Sequence, residues 1–110
     1  FRGEWYDISH KSYWQIFREG KLAKSDDQCV AAERELDNLK VSITILRPRK
    51  SIREKRGSVH FFVEGEGEVE IEGKKRRVVA RDLVLADVGE CIIYNNTDRE
   101  LVFISVFRKE

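Results

Sequence analysis

Two histidines, His10 and His60, and two cysteines, Cys29 and Cys91, are the side chains in this 110-residue chain best suited to ligating a metal or moving a proton near neutral pH. They are scattered. There is no Cys-x-x-Cys pair, no close pair of histidines and no nucleophile beside a base, so no catalytic residue, metal or cofactor is expected. Two widely separated cysteines fit buried free thiols in a reducing compartment, which implies an intracellular protein. The densest chemistry is positive charge: Arg47, Arg49, Lys50, Arg53, Lys55 and Arg56 stand with a single acid, Glu54, between residues 47 and 57. Such a cluster can receive a phosphate, a carboxylate or an acidic peptide, although a solvated loop is the plainer reading.

The whole chain carries 21 basic and 20 acidic residues, a formal charge of +1, so no global field draws it to nucleic acid. Its basic stretches, 47–56 and 74–77, also lack interleaved aromatic side chains on which bases would stack. Direct nucleic-acid binding is therefore the weaker reading. No apolar run approaches the roughly 20 residues that span a bilayer, and residues 1–5 show no signal-peptide pattern, so no membrane association is expected.

The elements that must position these groups read as strands. Val41, Ile43 and Ile45 alternate with Ser42 and Thr44, the period of a half-buried strand from Lys40 to Arg47. The polar stretch that follows holds the only proline and ends on Gly57, which predicts a loop. Ser58 to Glu64 is apolar on both faces. Glu66 to Glu72 and Lys74 to Ala80 predict a hairpin turning at Glu72-Gly73, its opposed charges forming a solvated face. Three further strands are predicted over residues 82–86, 90–95 and 101–108. Residues 25–37 stay ambiguous, since Ser25 to Gln28 matches a helix capping box while the same stretch could pair as a strand. Six aromatic residues within the first 17 (Phe1, Trp5, Tyr6, Tyr13, Trp14, Phe17) imply an arm, residues 1–24, that packs on the barrel or on a partner.

Arg47-Pro48 at a strand end, Val63 to Ile71 as a central hairpin, and Asp82, Gly89 and Asn96 in succession resemble the cupin superfamily. The likeness covers roughly half the chain. It implies an all-β, cupin-like double-stranded β-helix, a jelly-roll barrel over residues 25–110, carrying the N-terminal aromatic arm. It also implies a metal site of two histidines and a glutamate from one motif and a histidine from the second. In this sequence the glutamate position falls on Ser58. The histidine pair falls on Ile52 and Glu54 or, one residue over, on Ser51 and Arg53, and the last histidine falls on Ile92. The ligands are missing, so the resemblance points to a metal-free member. The C-terminal cupin domains of CENP-C-type kinetochore scaffolds, which homodimerise, are similar in architecture and in the tail from Leu101 to Lys109.

If Ser58 faces the barrel interior, alternation also sends His60, Phe62, Ile92, Tyr94 and Asn96 inward, as a pocket or simply as a filled core. The Arg47–Arg56 cluster would then lie at the barrel mouth, where a protein partner could bind. Val59, Phe61 and Val63, with Leu101, Phe103, Ser105 and Phe107, are the candidates for a dimer interface. The expectation is a homodimerisation and protein-binding module of a larger protein, nuclear and centromeric if the CENP-C likeness holds. The alternative is a small-molecule-binding cupin, or a metal-independent isomerase working through His60 and Tyr94.

Overall fold

Ten strands form two antiparallel sheets in the computed structural model, which describes residues 21–54, 57–86 and 89–108, apart from the side chain of Leu36. The strands are β1 (Lys21–Ser25), β2 (Cys29–Leu36), β3 (Leu39–Leu46), β4 (Ser51–Glu54), β5 (Ser58–Glu64), β6 (Glu66–Ile71), β7 (Lys74–Val79), β8 (Leu83–Ala86), β9 (Cys91–Tyr94) and β10 (Leu101–Arg108). One sheet runs β1-β2-β3-β10-β5-β8 and the other β4-β9-β6-β7. Consecutive strands that change sheet (β3 to β4, β4 to β5, β5 to β6, β7 to β8, β8 to β9, β9 to β10) wrap the two layers into a jelly roll.

The core lies between the sheets. Leu46, Phe62, Leu101 and Phe103 from the six-stranded sheet meet Ile52, Val69, Val78 and Ile93 from the other, with Cys29 and Cys91 as buried free thiols. Gly67 is what allows the layers to approach. A Cβ there would collide with the carbonyl oxygen of Tyr94 and lie 2.8 Å from Leu101 Cδ2. At the Glu72-Gly73 turn both residues take positive φ, 53° and 79°, as the twist of a two-residue hairpin demands.

The structure revises several sequence expectations. Residues 25–37 form strand, not helix: Asp26 caps a turn, its Oδ1 accepting from the backbone N of Gln28 and Cys29, and β2 then pairs with β3 along its whole length. The 24/25 boundary drawn for the arm cuts through β1. The aromatic residues of that arm lie outside the described residues. Residues 47–57 are not all loop, because β4 occupies Ser51–Glu54. Its one apolar anchor, Ile52, sits among charges and leaves no alternation to read. Strand β3 is closed on both faces: Ser42 and Thr44 face the inter-sheet space, while Ile43 and Ile45 join Ala32 and Val102 in a second buried cluster on the opposite face.

Candidate functional site

Strand register decides which of the candidate residues meet. Directly paired residues share a face, so Ser58, His60 and Phe62 on β5 line up inward with Phe107, Ser105 and Phe103 on β10. His60 is fully buried, its Nε2 2.8 Å from Ser58 Oγ and its Nδ1 2.7 Å from Ser105 Oγ. The rings of Phe103 and Phe107 stand edge-on to it, with centroids 6.0 and 6.2 Å away. Both ring nitrogens are thus occupied, and burial pulls the imidazole down from 6.5 to about 4. At neutral pH it is an uncharged histidine held by two hydroxyls.

Strand β9 turns the other way from the sequence expectation. Cys91, Ile93 and Asn95 are buried, and Ile92, Tyr94 and Asn96 face out of the barrel. Ile92 and Tyr94 border an outer cleft with Lys24 and Gln28. The Tyr94 hydroxyl donates to Glu70 Oε1 at 2.7 Å, which raises its pKa, and its ring lies under Lys75 Nζ at 4.7 Å. Asn96 Nδ2 donates to Glu68. Counting from Gly89 placed the pocket one residue too far along, since cysteine, not isoleucine, takes the inward position. The residue that counting missed is Asn95. Its Nδ2 donates to the carbonyls of Leu46 (3.0 Å), Arg47 (3.2 Å) and Arg99 (2.7 Å), and its Oδ1 accepts from Thr97 N and Oγ1. It locks the β3–β4 and β9–β10 loops together. Alternation counted from an inward Cys91 would have found it.

Four residues occupy the positions at which the cupin resemblance implies metal ligands. Pairing of Ile52 with Ile93 and of Glu54 with Cys91 turns Ile52 and Glu54 inward, Ser51 and Arg53 outward, and makes Cys91 rather than Ile92 the inward residue of the second motif. The set is Ile52, Glu54, Ser58 and Cys91, and it contains no imidazole. Burial pushes the Glu54 carboxyl from 4.5 up to about 7, and burial with the nearby Glu54 pushes the Cys91 thiol up to about 11. Ligands to a divalent metal must shed their protons, and these two are driven to keep them. Among the described residues, no group of three His, Cys, Asp or Glu side chains could hold an ion. The donor set does not fit a transition metal.

Four members of the basic cluster, Arg47, Arg49, Lys50 and Arg53, are among the described residues. Arg47 Nε donates to the Asp26 carbonyl at 3.0 Å. Arg49 donates from Nε and Nη2 to Asp98 Oδ1 and from Nη1 to the Asn96 carbonyl. Both belong to the β3–β4 loop, with exposed Lys50, at the end of the barrel away from Ser58. Arg53, outward on β4, pairs with Glu90 at 2.5 Å. Lys55 and Arg56 lie outside the described residues. The dimer candidates divide as well: Val59, Phe61 and Val63 face out, half-buried, whereas Leu101, Phe103 and Ser105 are buried inward and Phe107 packs on His60. The outward residues of β10 are Val102, Ile104 and Val106.

No protein-family model and no curated protein matches the sequence. Solved structures do match the fold. A predicted oxalate decarboxylase from Thermotoga maritima superimposes with a TM-score of 0.71 at 19% identity, over 84% of this chain and 96% of that one. The Cupin_2 domain of an XRE family transcriptional regulator from Enterobacter cloacae gives 0.65 at 17% identity, over 74% and 97%. Ectoine synthase from P. lautus gives 0.68 at 15% identity, over 86% and 73%. The chain has the cupin jelly-roll fold, on which enzymes and a regulatory domain are both built.

Proposed function

We propose that this chain is a metal-free cupin-fold module that joins two copies of its protein, and that its working surface is an outward apolar edge rather than the barrel interior. The observation that carries the reading is the pair Leu83 and Leu85, 60% and 59% exposed on β8. Among the described strands, β8 ends the six-stranded sheet, and it contains neither a lysine nor a proline to discourage pairing. Two copies set antiparallel about a two-fold axis through Val84 would bring Leu83 of one opposite Leu85 of the other. Both leucines would lie on the outward face, beside Phe61 and Val59, which pair with them across β5. The interface is self-complementary in that register, because each leucine meets a leucine.

The interior offers less. His60 is committed to Ser58 and Ser105, and the ligand positions hold Ile52, Glu54, Ser58 and Cys91. A kinetochore scaffold of the CENP-C type, in the nucleus at centromeres, is one setting in which a dimerising cupin domain serves, with its remaining surface free for a protein partner. Sedimentation velocity at micromolar concentration tests the reading. The expected result is a dimer that the double variant Leu83→Lys/Leu85→Lys converts to a folded monomer. A wild-type chain that sediments as a monomer would defeat the proposal.

A further inference from the structure

The β6–β7 hairpin separates its charges in a way that the sequence alone conceals. Register sets Glu70 opposite Lys75 and Glu68 opposite Arg77 on the outward face, where Arg77 is bonded to Glu66 and Lys75 stands over Tyr94. The other two cations alternate to the opposite side. Lys74 is paired with Ile71 and Arg76 with Val69, on the face that Val78 shares and that looks toward the six-stranded sheet. On this face the cross-strand neighbours of Lys74 and Arg76 are apolar, whereas those of Lys75 and Arg77 are glutamates.

Both cations border a cleft of about 510 Å³ between β6–β7 and β8, as does Arg77, whose guanidinium is already bonded to Glu66. Its floor is apolar: Val69 and Val78 are 3% exposed, and Ile71 and Val84 are half-buried against the same core. Two acids also border it. Asp82 is engaged, its Oδ2 accepting from the backbone N of Val79 at 2.8 Å, and Glu72 sits in the hairpin turn. This volume falls within the range of small-molecule pockets. An apolar floor with a guanidinium and an ammonium at its rim suits one kind of guest, a hydrocarbon body ending in an anion that arginine can grip with two parallel hydrogen bonds. The cleft lies at the open side between the sheets and uses none of Ile52, Glu54, Ser58 and Cys91.

We propose that this cleft binds a small amphipathic carboxylate, its chain on Val69, Ile71, Val78 and Val84 and its carboxylate on Arg76 and Lys74. The cationic rim lies on β7, while Leu83 of the leucine edge also borders the cleft. Octanoate and octanol, which share a tail and differ in charge, are the probes. Each is titrated into the ¹⁵N-labelled full chain while backbone amide shifts are followed. Octanoate is expected to bind with a Kd of about 1 mM or tighter, with its shifts centred on β6, β7 and β8, and octanol at least about tenfold more weakly. Arg76→Gln should weaken octanoate by about tenfold, and Lys74→Gln should weaken it less. Lys75→Gln, on the outward face, should leave binding unchanged. All three positions are solvent-exposed, so retained amide dispersion will establish that each variant is folded. Equal binding of octanol and octanoate, indifference to Arg76→Gln, shifts elsewhere, or no saturable shift would each overturn the assignment.

Discussion

His60 and Glu54 both point into the barrel from neighbouring strands in the sequence, yet the fold treats them in opposite ways. His60 has lost its water and received two hydroxyls in exchange, so its neutral form is fixed in place. Glu54 has lost much of its water beside Cys91, and its carboxyl responds by holding its proton up to about pH 7. The difference teaches that a polar group inside a cupin-like barrel is not by itself a reactive one. What matters is whether its hydrogen-bonding capacity is already spent.

The comparison makes testable predictions, of which the largest concerns His60 itself. His60→Ala empties a packed site between Phe103 and Phe107 and leaves the Ser58 and Ser105 hydroxyls without the imidazole, at an expected cost of about 3–4 kcal/mol. Urea unfolding at pH 7 measures it, and a loss below about 1 kcal/mol would mean that the site is not tightly packed.

Glu54 should reveal itself through pH. Its folded pKa of about 7 lies above the ordinary 4.5, so between these values the folded chain keeps a proton that the unfolded chain has released, and stability falls as pH rises. The folded pKa of His60, about 4, lies below the ordinary 6.5. Between those values the unfolded chain holds the extra proton, and stability falls as pH drops. Each effect amounts to about 3 kcal/mol across its window, and the two oppose one another where the windows overlap. Wild type should therefore show little net dependence from these groups between pH 4.5 and 6.5. Glu54→Gln removes one slope, and the variant should lose about 2–3 kcal/mol as pH falls across that interval. Urea melts of both proteins at the two pH values decide the matter, and parallel behaviour would place Glu54 in contact with water.

The smallest effect belongs to Ser105→Ala. One of the two bonds to His60 goes while Ser58 keeps the other, for an expected loss of about 1 kcal/mol. A cost equal to that of His60→Ala would show the three residues acting as a single cooperative unit.

Much of the barrel was legible in the sequence because turn residues and alternation are local signals. The Glu72-Gly73 turn, the β6–β7 hairpin and the strand Leu101–Arg108 stand where their residues place them. Strand β4 was hidden because its burial rests on Ile52 alone. The ambiguous stretch before it became β2 because β3 offered a full-length partner, a long-range fact that outweighed a helix capping pattern.

The sequence determined on its own that this is a β protein with almost balanced charge, with scattered histidines and cysteines, and without histidines at the cupin ligand positions. Only the tertiary structure decided which way each strand faces. A shift of one residue exchanges the two sides of a strand, and nothing within residues 91–96 distinguishes Cys91, Ile93 and Asn95 from Ile92, Tyr94 and Asn96 until β9 is laid against β4 and β6. The same register sorted the cations of β7 into two that lie across from glutamates and two that lie across from Val69 and Ile71, because facing depends on pairing across strands and not on composition.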